Sequence, residues 1–214
     1  MTTSIIIPTI EARPDLLQEC LVAVEATAPG REVIIANDPV SFGENCNYGA
    51  FQASGDIYVF LNDDCLPTPG WIEPLEYQFG YPDVAIAGSM LRAPHTMDLL
   101  HAGVMLTNPG GVLTAVNITE PQESGDVDAV TGACLAIRAE VFHQCEGFDT
   151  GFVNGYEDVD LCLRVKAAGW RIRYCAESLL LHHESSSGID RWTHVQENIQ
   201  RLQDLWNVSE HPVD

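Results

Sequence analysis

Short apolar runs alternate with longer amphipathic stretches through residues 1–90 of the chain. The pattern predicts strands at 5–8, 32–36, 57–61 and 84–87, and helices that start at Pro14 and span 41–54 and 71–79. Alternation of this kind builds a parallel sheet covered by helices on both faces. Ligands bind such sheets at the carboxyl ends of the strands. Polar clusters at 9–13, 37–38 and 62–64 follow the first three strands, so we expect a site there.

The second half of the chain is less regular. We predict a hairpin from segments 99–106 and 112–116, an exposed acidic stretch at 124–128, a strand at 133–137 and a short helix at 139–145. The clearest helix is 158–168, where Leu161, Val165 and Ala168 share one face and Asp160 and Arg164 pair four residues apart. Strands at 171–175 and 178–182, a Ser/Gly loop at 184–190 and a helix at 191–206 follow.

Charge and cysteine content exclude several classes of protein. Acidic residues outnumber basic ones by 31 to 10, for a net charge of −21, which argues against a nucleic-acid partner and against docking on an anionic membrane. No segment approaches the roughly 18 apolar residues of a membrane span, and the opening run, cut by Pro8, is interpreted as a strand and not a signal peptide. Seven cysteines without a Cys-x-x-Cys pair predict free buried thiols in a reducing, cytoplasmic compartment and argue against a zinc site.

The first candidate site is Asn62-Asp63-Asp64, directly after a buried strand. Adjacent carboxylates repel one another unless a cation lies between them, and hard divalent cations take oxygen ligands of this kind together with substrate phosphates. The alternative is an Asx-rich turn, which is common after strands.

The second candidate site is Glu157-Asp158-x-Asp160 at the start of the clearest helix. One Asp would serve as an N-cap, and acids in the first turn favour the helix dipole by roughly 0.3–1 kcal/mol each. Three acids in four residues exceed that need, and the glycines at 151 and 155 indicate a loop that brings backbone close to a ligand.

The third candidate site is His182-His183 at a predicted strand end. Neighbouring strand residues point to opposite faces, so at most one of the two imidazoles serves a given site. Imidazole beside carboxylates suits Mn²⁺ better than a purely oxygen site would. The Ser/Gly stretch at 184–189 has the composition of a mobile lid.

Most of the chain, from Ser4 to about Ser187, resembles the family 2 inverting glycosyltransferases of the GT-A fold. The resemblance is carried by SIIIPT at 4–9, NYG at 47–49, FLNDDC at 60–65, PGWI at 69–72, VTGAC at 130–134, GFD at 147–149, GYEDVDL at 155–161 and His182-His183. The order and spacing of so many stretches make it specific. The closest pattern is that of rhamnosyltransferase-like enzymes of polysaccharide synthesis.

The resemblance implies an α/β architecture in which a Rossmann-like, mostly parallel central sheet is flanked by helices and accompanied by a small second sheet or hairpin. It implies a single domain over 1–214. Residues 1–90 would form the nucleotide-binding half, 91–189 the catalytic and acceptor half, and 190–214 a C-terminal helix.

The resemblance also implies roles for individual residues. Asp158 would be the catalytic base with Glu157 as its supporting neighbour, and Asp64 and His182 would hold Mn²⁺ or Mg²⁺, with His183 as the alternative to His182. The first acid of the family's metal motif is here Asn62, a departure that makes Asn62 a weaker ligand. The implied nucleotide-sugar contacts are Pro8, Thr9, Glu11, Arg13, Asn37, Asp38, Asn47, Asn62, Asp63, Gly132 and Ala133.

The predicted activity is transfer of a sugar from a nucleotide-diphosphate sugar to the hydroxyl of a carbohydrate or other acceptor, with inversion at the anomeric carbon. A nucleotidyltransferase is ranked low because segment 9–15 lacks the Gly-rich loop that such enzymes need. A non-catalytic nucleotide-sugar-binding domain stays open. So does a phage-type nucleic-acid base glycosyltransferase, which the charge of −21 disfavours. An oligomer is compatible with the sequence.

Overall fold

The computed structural model describes residues 1–38, 40–109, 112–183 and 193–206. Six helices lie within these ranges: α1 (Pro14–Thr27), α2 (Phe42–Gln52), α3 (Ile72–Gln78), α4 (Ala139–Gln144), α5 (Glu157–Ala167) and α6 (Val195–Leu205). The strands are β1 (Thr3–Pro8), β2 (Glu32–Ala36), β3 (Ile57–Leu61), β4 (Cys65–Pro67), β5 (Val84–Arg92), β6 (Leu99–His101), β7 (Val104–Thr107), β8 (Thr114–Asn117), β9 (Gly125–Asp126), β10 (Cys134–Arg138) and β11 (Arg171–His182).

Nine of the described strands form one mixed sheet, and β7 and β8 form a separate hairpin. The path through the main sheet is β2-β1-β3-β10-β5-β11-β4, with β6 on β5 and β9 on β11. β1 is parallel to β2 and β3, and β5 is parallel to β11. The predicted architecture, a mostly parallel sheet flanked by helices with a small second sheet, is confirmed.

One reversed strand brings an extra segment to the site. β10 lies between β3 and β5 and is antiparallel to both, with Cys134 opposite Leu61. The amino-terminal end of β10 therefore lies where β3 ends, and the Asn62 N–H donates to the Ala133 carbonyl oxygen at 3.0 Å. Residues 131–133 thus join the same edge as the predicted polar clusters.

Apolar side chains pack against both faces of the sheet. α1 and α3 cover one face, where Trp71 is fully buried and its indole N–H donates to Thr27 Oγ1 at 3.0 Å. α2, α4, α5 and α6 cover the other face around Phe142 and Phe148. All seven cysteines are free, and all except the half-buried Cys145 are buried, as predicted.

The structure differs from the sequence predictions in the second half. Only Val104–Thr107 pairs with β8; segment 99–101 joins β5 instead, because Gly103, with φ of 104°, redirects the chain. The predicted strands 171–175 and 178–182 are one strand with an irregularity between Cys175 and Leu179. The predicted acidic stretch contains β9, and Asp128 forms an ion pair with Lys166.

Some predictions fall on parts of the chain that the structure leaves undescribed. The loop at 184–190, the lid it was expected to form and the first residues of the predicted 191–206 helix lie outside the described residues. Within the described ranges, no helix combines the length and apolar character needed to cross a membrane.

Candidate active site

A cleft of about 640 Å³ opens where the strands of the main sheet end. This volume is in the range of small-molecule sites. The strand ends supply a polar wall with Thr9, Asn62, Asp63, Asp64 and His182. The hairpin and α6 supply an apolar wall with Val104, Ala115, Val116 and Val195. The rest of the lining comes from segments 131–133 and 154–159 and from Pro8, Ile10, Val40, Phe42, Asn45 and Asn117.

Asp64 and His182 meet in this cleft because β4 pairs with the end of β11, with Cys65 opposite His182. Asp64 is buried, and its Oδ1 lies 3.1 Å from His182 Nε2. The His183 N–H donates to the Asp64 carbonyl oxygen, while the His183 ring lies 6.2 Å from that of His95 and is not part of the cleft lining. Between the two histidines, the structure therefore places His182 in the cleft.

This pair fits a divalent cation. Two neighbouring ligands about 2.1 Å from an octahedral ion are separated by about 3.0 Å, close to the distance found between the two side chains. Cys65 Sγ belongs to the same cluster of possible ligand atoms. Its thiol, however, is fully buried, donates to the Ala133 carbonyl oxygen at 3.5 Å and is not part of the cleft lining. A soft sulfur ligand also suits Mg²⁺ and Mn²⁺ poorly, which leaves carboxylate and imidazole as the ligand set.

Thr9 and Asp63 form the neighbouring part of the polar wall. The Thr9 hydroxyl donates to Asp63 Oδ2 and accepts the Glu11 N–H at 2.9 Å. Burial raises the pKa of Asp63, and the negative charge of Asp64 adds to that effect.

Asn45 is a cleft residue that sequence reasoning missed. It is 1% exposed, and its amide accepts the Asp38 N–H at 3.1 Å and donates to the Asp38 carbonyl oxygen at 2.9 Å and to the Thr9 carbonyl oxygen at 3.4 Å. It therefore ties the ends of β1 and β2 together. The Ser41-x-x-Glu44 capping box in the sequence signals the start of α2, although it does not show that Asn45 points inward. Asn117, Asn154 and Tyr156 also line the cleft and were not predicted.

Glu157 and Asp158 enter the cleft from the first turn of α5. Asp158 accepts the Gly132 N–H on Oδ2 at 2.7 Å and the Val159 N–H on Oδ1 at 2.8 Å. A Cβ atom at position 132 would lie 3.2 Å from the Phe42 ring, so glycine here lets that ring pack close to the backbone. Burial raises the pKa of Asp158, while the two N–H donors oppose that rise.

Glu157 is 6% exposed and accepts the Gly155 N–H at 2.6 Å. Burial first, and the charge of Asp158 second, raise the pKa of Glu157 to about 7. The third acid of the motif, Asp160, points away from the cleft: it pairs with Arg164 at 2.8 Å and accepts the Trp206 indole N–H at 2.8 Å.

Five predicted nucleotide-sugar contacts are not part of the cleft lining. The Asn47 amide donates to the Phe148 carbonyl oxygen and accepts the Phe148 N–H, each at 2.9 Å. Arg13 is exposed and paired with Asp15 at 2.7 Å. Asn37 donates to Glu11 at the rim, and Asp38 contributes only backbone atoms to its bonds with Asn45. The predicted contacts that do line the cleft are Pro8, Thr9, Asn62, Asp63, Gly132 and Ala133.

The cleft is acidic. Among its described lining residues, Asp63, Asp64, Glu157 and Asp158 carry carboxyl groups and none is Lys or Arg.

A family model described as "Glycosyltransferase like family 2" matches residues 4–202, nearly the whole chain. The chain belongs to the family 2 glycosyltransferases. The O-antigen biosynthesis protein RfbC of Myxococcus xanthus is 34% identical over 160 residues, which cover 70% of this chain and 12% of RfbC. The N-acetylglucosaminyl-diphospho-decaprenol L-rhamnosyltransferase of Mycobacterium tuberculosis H37Rv is 39% identical over 158 residues, which cover 65% of this chain and 51% of that protein.

The GT-A fold of this family 2 glycosyltransferase is also evident from solved structures. The crystal structure of GalNAc-T7 with UDP, GalNAc and Mn²⁺ superposes with a TM-score of 0.76 at 15% identity and covers 96% of this chain and 48% of that chain. In each of these three comparisons, the chain spans about half of the related protein or less.

Proposed function

We propose that this family 2 glycosyltransferase is a divalent-metal-dependent inverting enzyme that transfers a sugar from a nucleotide-diphosphate sugar to an acceptor hydroxyl. The observation that carries the proposal is that one cleft is lined both by Asp64 and His182, whose Oδ1 and Nε2 atoms lie 3.1 Å apart, and by two neighbouring carboxyl groups, Glu157 and Asp158. Asp64 lies 94 residues before Asp158 in the chain and His182 lies 24 residues after it, and the fold joins all three at one sheet edge.

The donor's diphosphate requires positive charge that the described cleft lining does not supply. Asp64 and His182 would hold Mn²⁺ or Mg²⁺ beside the diphosphate, and the ion would neutralise the negative charge that builds on the leaving group. Thr9, Asn62 and Asp63 would line the nucleotide side, and Asn45 would keep the ends of β1 and β2 in register beneath it.

Asp158 is the proposed general base. An acceptor hydroxyl is a weak nucleophile at neutral pH, and a base that removes its proton during attack contributes about 10²–10⁴ in rate. The N–H donors of Gly132 and Val159 fix the carboxylate in place, and its raised pKa improves it as a base. Attack on the face of the anomeric carbon opposite the diphosphate inverts its configuration.

The names of the relatives suggest the donor to try first. The mycobacterial relative is named as an L-rhamnosyltransferase, and a relative in Escherichia coli K12, WbbL, is named as a rhamnosyltransferase. We therefore propose a deoxyhexose or hexose donor, with a carbohydrate or other hydroxyl compound as acceptor.

A thermal-shift screen of nucleotide sugars, with Mn²⁺ and with EDTA, tests the proposal. A ligand at 100 times its Kd stabilises the folded protein by about 2.7 kcal/mol, which gives a measurable rise in Tm. We expect dTDP-L-rhamnose or another nucleotide sugar to raise Tm only with the metal, and to lose that effect in Asp64→Ala. Stabilisation that is equal in EDTA would contradict the metal site. A donor that binds but is neither hydrolysed nor transferred would indicate a binding domain instead of an enzyme.

A further inference from the structure

α6 is bonded to the loop at 149–155, which directly precedes the helix that carries the proposed base, Asp158. Asn198, 2% exposed, uses both ends of its carboxamide on one residue: Oδ1 accepts the Val153 N–H at 3.1 Å, and Nδ2 donates to the Val153 carbonyl oxygen at 2.9 Å. One turn further along, the Arg201 guanidinium forms a bidentate ion pair with Asp149, at 2.7 and 2.9 Å from Nη2. The loop at 149–155 is thereby attached to α6 at two points.

The backbone that follows Val153 adopts conformations that side-chain-bearing residues avoid. Asn154 has φ of 51° and Tyr156 has φ of 72°, both in the left-handed region. Such conformations persist where surrounding contacts impose them, and they cluster at functional sites. Tyr156 directly precedes Glu157, so this turn determines where Glu157 and Asp158 enter the cleft.

We propose that Asn198 is a positioning residue for catalysis: its carboxamide locks Val153, holds the left-handed turn at 154–156 and thereby aims Asp158 into the cleft. Asn198 itself is not part of the cleft lining, so it acts through the loop and not by contact with substrate. The inference rests on the proposed function because it takes Asp158 as the base.

The same helix contains a matched control. Gln203 makes the same two bonds with another backbone residue: it accepts the Leu113 N–H at 3.0 Å and donates to the Leu113 carbonyl oxygen at 2.8 Å. Leu113 is not part of the cleft lining. Gln203→Ala therefore removes bonds of the same number and kind from α6 but leaves the loop at 149–156 attached.

The experiment compares Asn198→Ala and Gln203→Ala with the wild-type chain. Hydrolysis of UDP-glucose, UDP-N-acetylglucosamine, GDP-mannose and dTDP-L-rhamnose is measured with Mn²⁺, and kcat and KM are determined for the best donor together with Tm. We expect both variants to lower Tm, but only Asn198→Ala to lower kcat, by at least about tenfold, since small misplacement of a reacting group is costly. Its KM for the donor should stay within about twofold, since the proposed nucleotide side, with Thr9, Asn62 and Asp63, lies outside the released loop.

The pH profile separates positioning from general destabilisation. In Asn198→Ala the released loop lets water reach Glu157 and Asp158, so the acid limb of kcat should move to lower pH. That limb should be unchanged in Gln203→Ala. Should Asn198→Ala fail to fold, Asn198→Ser keeps one hydroxyl for Val153 and is expected to show a smaller loss of kcat in the same direction.

Two results would overturn the inference in different ways. Equal kcat and equal pH profiles in the Asn198 and Gln203 variants would show that Asn198 only stabilises the fold, while the proposed function would stand. A wild-type protein that turns over none of the four donors would overturn the proposed function, and the inference with it.

Discussion

Glu157→Gln should have nearly the same stability as wild type at acidic pH and should be more stable than wild type at alkaline pH. Glu157 is 6% exposed, and its pKa in the folded protein is about 7, against 4.5 for the free side chain. Each tenfold difference in proton affinity corresponds to 1.36 kcal/mol, so ionising this side chain in the folded state costs about 3 kcal/mol.

The direction in which the stability difference changes with pH follows from proton linkage. Because the folded state binds the proton more tightly, the stability that protonated Glu157 provides is fully present below pH 4.5 and is lost as the pH rises to about 7. Glutamine stays neutral, and its carbonyl oxygen can still accept the Gly155 N–H. The variant should therefore match wild type near pH 4.5 and exceed it by up to about 3 kcal/mol at pH 8.

Urea unfolding of both proteins at half-unit steps from pH 5 to pH 8 measures this difference. All other titrating groups are common to the two proteins. The difference between their unfolding free energies at each pH therefore reports only Glu157 and its effect on Asp158. A difference in unfolding free energy that stayed constant across this range would refute the assignment of a raised pKa to Glu157.

Three further predictions concern the cleft. Asp158→Asn should keep donor affinity within about twofold and lower transfer by about 10²–10⁴; near-normal turnover, measured by chromatography of the released nucleotide, would remove Asp158 from its role. Cys65→Ala should keep Mn²⁺-dependent donor binding by calorimetry, because the thiol is buried beneath the cleft and bonded to Ala133; loss of metal dependence would make sulfur a ligand. Asn45→Ala should lower the unfolding free energy by about 1–3 kcal/mol, because it removes the side-chain partner of the Asp38 N–H and of the Thr9 carbonyl oxygen. Donor binding should weaken about tenfold, because the segments after β1 and β2 are no longer tied together; unchanged affinity in calorimetry would contradict the positioning role of Asn45.

The sequence by itself determined most of the alternating strands and helices over residues 1–90. The residues of β2 and β3 were predicted to their ends, because short apolar runs bounded by turn residues are local patterns. The resemblance implied Asp64, His182, Glu157 and Asp158, and these four do share one cleft. Asp160, the third acid of the 157–160 motif, is bonded to Arg164 and Trp206 and does not line the cleft.

Tertiary structure alone decided which side chains face the cleft and what holds them there. The choice between His182 and His183 depends on β4, a three-residue strand whose pairing with β11 involves residues more than a hundred positions away. Asn47 and Asn45 are two residues apart on one helix, yet one clamps the Phe148 backbone and the other faces the cleft, because successive helical residues point in different directions. The two hydrogen bonds between Asn198 and the Val153 backbone likewise join residues that are 45 positions apart. A contact of this kind cannot be predicted from a local pattern, since it forms only when the whole chain packs.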